Sequence, residues 1–119
     1  RYVDYTSFPT PILIADDFFN TGVILAEEYT DWTSSDLLKV EGIMLVDDIE
    51  IGRGVGSDIF GDPMQALAWL ANHSISLGKP LQSGTFIMLG SVVKTFFVEK
   101  PSQITISFKH LGEASVRLI

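Results

Sequence analysis

Cysteine is absent from this 119-residue sequence, and histidine occurs only twice. The absence of cysteine excludes disulfide bridges and thiolate metal ligands within the chain. It also fits a reducing compartment, so we expect a cytoplasmic protein. His73 and His110 have no second histidine at ligand spacing, which disfavours a histidine metal site.

Basic residues and long apolar runs are also scarce. Eight Lys and Arg stand against 15 Asp and Glu, giving a net charge of −7, and they form no basic patch. This composition disfavours binding to nucleic acid. No apolar run approaches the length of about 20 residues that a membrane-spanning helix needs, so we expect no membrane association.

Apolar residues, by contrast, are abundant. They make up 46% of the chain and charged residues 19%, in a length that suits one domain over residues 1–119. A domain of this size cannot bury so many apolar side chains alone, so we expect a partner surface and a homo-oligomer.

The apolar patterning predicts a β-rich α+β fold with an antiparallel or mixed sheet, because strands follow one another without alternating helices. Pro9 and Pro11 are expected to prevent a helix near the start. Two strands are predicted around a turn at Asp47 and Asp48. The other predicted strands are Gly22 to Ala26, Thr85 to Leu89, Gln103 to Phe108 and Ala114 to Ile119.

One main helix is predicted to span about residues 62–77. Asp62 is a good N-cap, Pro63 suits the first helical position, and Gln65 lies at the capping-box position. Apolar residues then recur at helical spacing. Gly78 and Pro80 are typical of a helix end.

Three groups of acidic residues offer oxygen atoms of the kind that bind Mg²⁺: Asp16–Asp17, Glu27–Glu28, and Asp47–Asp48 with Glu50. For the last two groups, a solvated surface is the favoured interpretation. For Asp16–Asp17 both interpretations stay open. The glycine-rich stretch GRGVG, 52–56, is neither a phosphate loop nor a dinucleotide fingerprint and favours a flexible or bulged strand. Ser91 in FIMLGSVVK, 86–94, suits either a ligand contact or a plain turn.

The segments GVGSDIFGDPMQALAWLAN, LGKPLQSGTFIMLGSVV and LGEASVRL together resemble the C-terminal half of the 2-keto-4-pentenoate hydratase and 4-oxalocrotonate decarboxylase family, within the fumarylacetoacetase-like superfamily. RYVDY and IADD resemble the segment after the last metal-binding glutamate of that family. The resemblance implies a fumarylacetoacetase-like mixed β-sandwich or roll, of which this chain is the C-terminal portion of the catalytic domain.

The resemblance also implies a lyase that hydrates or decarboxylates small 2-oxo-alkenoic acids in the breakdown of aromatic compounds. Full-length relatives are expected to use Mg²⁺ or Mn²⁺. Because the family's glutamate ligands and catalytic lysine correspond to positions before residue 1, we expect no catalytic residue, metal ligand or cofactor in this chain alone. The resemblance assigns substrate contacts to Ser91, Asn20 and Asp16.

Four residues depart from the family pattern. Phe19 and Asn20 stand where small serines are usual, and Asp58 and Lys94 replace small residues. These changes support an alternative, a non-catalytic binding or assembly domain that kept the fold.

Overall fold

The computed structural model describes residues 7–119, which form a β-rich α+β fold. The predicted class with one main helix is thereby confirmed. Its helices and strands are α1 (Thr10–Ala15), β1 (Glu41–Val46), β2 (Ile49–Val55), α2 (Pro63–Ser76), β3 (Ser102–Phe108) and β4 (Gly112–Leu118); 3-10 turns lie at Asp17–Phe19, Trp32–Ser34 and Gly56–Asp58.

The four strands form one antiparallel sheet in the order β2-β1-β3-β4. The predicted β1–β2 turn is confirmed, since Asp47 and Asp48 have φ of 50° and 65°. Two consecutive left-handed residues give the twist that a two-residue hairpin turn requires, and aspartate tolerates this conformation. The register shifts between the Met44–Gly52 and Leu45–Glu50 pairs, so Ile51 is the extra residue of a bulge that lies just before the glycine-rich stretch.

The sheet has one apolar face and one mostly polar face, as the alternation of side chains along its strands dictates. Val46, Met44 and Gly42 pair with Ile104, Ile106 and Phe108 on the apolar face. On the opposite face the Arg53 guanidinium donates to both Glu50 and Glu41, and Thr105 bonds Ser115 at 2.8 Å.

Helix α2 begins where the sequence predicts. The Asp62 carboxylate accepts a hydrogen bond of 2.8 Å from the backbone N–H of Met64, and Pro63 opens the helix. These features satisfy the N-terminal donors that a helix leaves unpaired. The chain leaves the helix at Leu77, and Gly78 has φ of 69°, the left-handed conformation typical of a helix end.

Two predicted strands are wrong, as is the expectation that no helix forms near the start. Residues 22–26 and 85–89 have no strand structure. Apolar runs become strands only where a neighbouring strand accepts their hydrogen bonds, and none does so here. Residues 10–15 form helix α1, because Pro11 lies in its first turn, where a missing N–H costs nothing.

Candidate functional site

Glycines on the two neighbouring strands β1 and β2 allow a later segment to lie directly on the sheet. Gly42 pairs with Gly54, and Gly52 pairs with Met44. A Cβ atom on Gly54 would overlap the carbonyl oxygen of Val92; on Gly42 it would lie 2.6 Å from the Val92 side chain. We call Gly42, Gly52 and Gly54 the glycine strip. The strip lets the backbone of another segment approach the sheet closely. The residue pattern of one strand does not show which segment this is.

The glycine strip positions Ser91, the first of the three predicted substrate contacts. Ser91 directly precedes Val92, which is held on the strip, and follows Gly90, whose φ is 143°. A Cβ atom on Gly90 would lie 2.9 Å from the Ile59 side chain. The backbone on both sides of Ser91 is therefore constrained, while its own side chain is exposed.

A cavity of about 490 Å³ lies beside this segment and brings together two of the departures from the family pattern. Asp58 and Lys94 both line it, together with Arg53. One oxygen of the Asp58 carboxylate accepts the Val55 backbone N–H at 2.8 Å. Lys94 forms no ion pair with any residue in the described range. Asp58 and Lys94, which are far apart in the sequence, therefore lie in the wall of the same cavity.

Arg53 is the most strongly paired charge beside this cavity. Hydrogen bonds to Glu50, and the negative charges of Glu50 and Glu41, raise the pKa of Arg53. The same hydrogen bonds from Arg53 lower the pKa of the Glu50 carboxyl. Arg53 is thus a fixed, neutralised part of the cavity wall, whereas Lys94 is a cation available to a ligand.

Asp16 and Asn20, the other predicted contacts, lie at the C-terminal end of α1. Asp16 lines a groove of about 280 Å³ with Phe8, Ile12, Ala15 and Phe19. The Asn20 side-chain oxygen accepts the backbone N–H of Gly22 at 3.0 Å, and its amide group donates a long hydrogen bond of 3.4 Å to the Asp17 carboxylate. This groove shares no lining residue with the cavity that Arg53, Asp58 and Lys94 line.

The turn between these two residues is strained. Asp17, Phe18 and Phe19 have φ of 49°, 51° and 63°. A left-handed conformation costs a residue other than glycine roughly 1–2 kcal/mol. Strain of this kind persists only where surrounding structure holds it, and it clusters at functional sites.

The remaining candidates for metal binding do not assemble. Within residues 7–119, no group of three or more His, Asp or Glu side chains is placed to hold a metal ion. His73 stacks on Trp69 with ring centres 5.0 Å apart. His110 lines a cavity of about 440 Å³ with Glu27, Glu28 and Glu113.

The Asp47 acidic group has a structural role instead. The Asp47 N–H donates to the Gln103 carbonyl at 2.8 Å, and its carboxylate accepts the Gln103 N–H at 2.9 Å. The bond from Gln103 is the main cause that lowers the pKa of Asp47. The buried Ser102 hydroxyl also lowers this pKa, although its geometry does not amount to a regular hydrogen bond with any described group.

These two hydrogen bonds between Asp47 and Gln103 predict that the stability of the fold depends on pH. Because the pKa of Asp47 is lower in the folded state, its stabilisation is complete above the unfolded value, about 4, and is lost as the pH falls through the folded pKa. The free energy of unfolding, measured in urea, should therefore fall less below pH 4 in Asp47→Asn than in the unmodified chain. Asp48→Asn, the same change at the next turn position, is the control. Parallel pH profiles for Asp47→Asn and the unmodified chain would contradict this role.

Comparison with known proteins relates this arrangement to known enzymes. No protein-family model matches the chain. A 4-oxalocrotonate decarboxylase from Pseudomonas putida is 27% identical over 119 residues, which is 100% of this chain and 45% of the relative. The magnesium- and adipate-bound structure of the Pseudomonas putida G7 decarboxylase superposes with a TM-score of 0.89, covering 99% of this chain and 44% of that one. The chain is therefore similar in sequence and in fold to one part of a 4-oxalocrotonate decarboxylase.

A hydratase shows the same relationship over a shorter range. The 2-keto-4-pentenoate hydratase of Paraburkholderia phymatum is 35% identical over 69 residues, 57% of this chain and 26% of the relative. The chain thus spans less than half the length of these family members. The RYVDY part of the resemblance lies outside the described residues. No helix among residues 7–119 is long and apolar enough to cross a membrane.

Proposed function

We propose that this chain is part of a metal-dependent lyase that hydrates or decarboxylates a small 2-oxo-alkenoic acid. The observation that supports this most is that nearly all of this chain matches part of a 4-oxalocrotonate decarboxylase, covering 45% of it in sequence and 44% in structure. The hydratases among its relatives make hydration the alternative reaction on the same class of substrate.

The substrate contacts proposed for this chain are Ser91, Asn20 and Asp16. In both reactions negative charge develops on substrate oxygen atoms, and a fixed hydroxyl or amide donor stabilises it. Ser91 supplies a hydroxyl on a segment fixed by the glycine strip. Asn20 supplies amide N–H groups, and the Asp16 carboxylate accepts a hydrogen bond from a substrate hydroxyl or water.

The described residues do not by themselves fit a divalent cation. They hold no cluster of three ligands, and no catalytic step is assigned to a metal within this chain. We propose that the metal ligands belong to the part of the fold that relatives have beyond the matched 45%. The magnesium in the decarboxylase structure supports this proposal.

The test is a hybrid protein in which this chain replaces the matched part of the Pseudomonas putida decarboxylase. With Mg²⁺ we expect turnover of a 2-oxo-alkenoic acid, followed as loss of substrate absorbance, and abolition of turnover by EDTA. The product, a hydrated acid or CO₂, decides between hydratase and decarboxylase. A hybrid that folds but is inactive with mono- and dicarboxylic 2-oxo-alkenoates would favour the non-catalytic domain.

A further inference from the structure

The two edges of the sheet differ in regularity. At one edge, strand β2 is interrupted by the bulge at Ile51, and its Arg53 is held in an ion pair with Glu50. At the other edge, β4 pairs with β3 over all seven of its residues without a shift in register. Bulges protect a sheet edge, whereas a regular edge strand presents unpaired backbone groups to another strand. Among residues 7–119 no strand pairs with the outer side of β4, so this edge is open to a further strand.

Strand β4 carries opposite charges at equal distances from its centre. Glu113 and Arg117 lie two residues before and two residues after Ser115, and all three belong to the polar face because side chains alternate along a strand. Both charged residues are exposed, and neither forms an ion pair with another described residue. Ala114 and Val116 lie between them on the apolar face, where each is half-buried.

This arrangement fits one pairing of β4 with the β4 strand of a second copy. If the two strands run antiparallel with Ser115 opposite Ser115, each Glu113 lies opposite the Arg117 of the other copy. In the same register Ala114 lies opposite Val116, so the apolar faces of the two sheets are continuous. Opposite charges across neighbouring strands stabilise a sheet.

Other registers lose these contacts. A parallel pairing in register would place Glu113 opposite Glu113 and Arg117 opposite Arg117, and like charges directly opposite destabilise a sheet. A slip of one residue would bring the polar face of one strand beside the apolar face of the other. A slip of two residues would separate both ion pairs. The charges of β4 therefore select the antiparallel pairing centred on Ser115.

We infer that β4 is a self-association surface, through which two copies of this chain join their four-stranded sheets into one antiparallel sheet. The contact is isologous, as a two-fold dimer requires, because each copy contributes the same strand. Leu118, which is 40% exposed in the single chain, lies opposite Gly112 of the second copy in this pairing. A contact of one strand is small, so the dimer belongs to the weak class of protein interfaces. The inference does not depend on the proposed function.

Sedimentation equilibrium of the 119-residue chain tests the association. The mass should rise from 13.1 kDa toward twice that value as the protein concentration increases. Glu113→Arg places two arginines opposite each other at both ends of the contact, so the dissociation constant should increase about 10-fold or more. Arg117→Glu should have the same effect. A chain that stays monomeric at every concentration overturns the inference.

Two recombined pairings separate a specific contact from charges that merely keep other strands away. The double variant Glu113→Arg with Arg117→Glu exchanges the two charges and should restore the dimer. An equimolar mixture of the two single variants should also associate, because each strand then opposes two arginines to two glutamates. Association that the single reversals leave unchanged, or that neither recombined pairing restores, overturns the inference.

A cross-link tests the register. Because the chain has no cysteine, Ser115→Cys supplies a single thiol at the centre of the proposed contact. Residues directly opposite in antiparallel strands have Cα atoms about 4.5–5.5 Å apart, which is within the range of a disulfide. Mild oxidation should therefore link two copies of Ser115→Cys but not of Ser83→Cys, a control at an exposed loop residue. Equal yields from the two variants, or no linked dimer from Ser115→Cys, contradict this register.

Discussion

Gly54→Ala is expected to displace Val92 from the sheet and to lower the unfolding free energy of the hybrid protein by about 2 kcal/mol. The added Cβ would overlap the backbone oxygen of Val92, which has no alternative rotamer with which to avoid it. Strand β2, the Val92 segment or both must move. Urea unfolding measures the loss, and the amide resonances of Val92 and Val93 report the displacement.

Gly22→Ala is the matched control. Nothing lies within 4 Å of a Cβ at Gly22, and its φ is not in the left-handed region. Removal of a glycine there should be neutral or slightly stabilising, since it restricts the unfolded chain. If Gly54→Ala proves as mild as Gly22→Ala, the glycine strip does not hold the Val92 segment in place.

Ser91→Ala should reduce kcat/KM of an active hybrid by about 100-fold, the effect of removing one fixed donor to a developing negative charge. The loss should fall mainly on kcat, because the hydrogen bond is stronger in the transition state than in the bound substrate. Ser91 is exposed and the change only shortens it, so the urea midpoint should stay unchanged.

Two further variants separate chemistry from structure. Ser91→Thr keeps the hydroxyl and should restore most of the activity. Ser83→Ala removes the hydroxyl of another exposed loop serine and should have no effect. Activity of Ser91→Ala within twofold of the unmodified hybrid would exclude Ser91 as a substrate contact.

Gly54 and Ser91 are connected through Val92. The glycine strip provides the flat surface on which Val92 lies, and Val92 fixes the backbone that carries Ser91. If this connection is real, Gly54→Ala should also lower the activity of the hybrid, although Gly54 itself carries no functional group.

Elements whose determinants are local were predictable from the sequence. The cap at Asp62 and the stop at Gly78 define α2 within its own residues. The Asp47–Asp48 turn defines the first hairpin in the same way. In each case the hydrogen-bonding groups and the required backbone conformation lie within a few residues of each other. These elements therefore depend little on tertiary contacts.

The sequence by itself determined α2, the β1–β2 hairpin, the last two strands and the family resemblance, because each depends on neighbouring residues or on their order. The tertiary structure alone decided that residues 85–89 form no strand, that the glycine strip receives Val92, and that Asp58 and Lys94 share a cavity. These depend on residues far apart in the chain, whose approach is set by the packing of one sheet. The same packing leaves Ile14 of α1 and Phe18 of the following turn exposed.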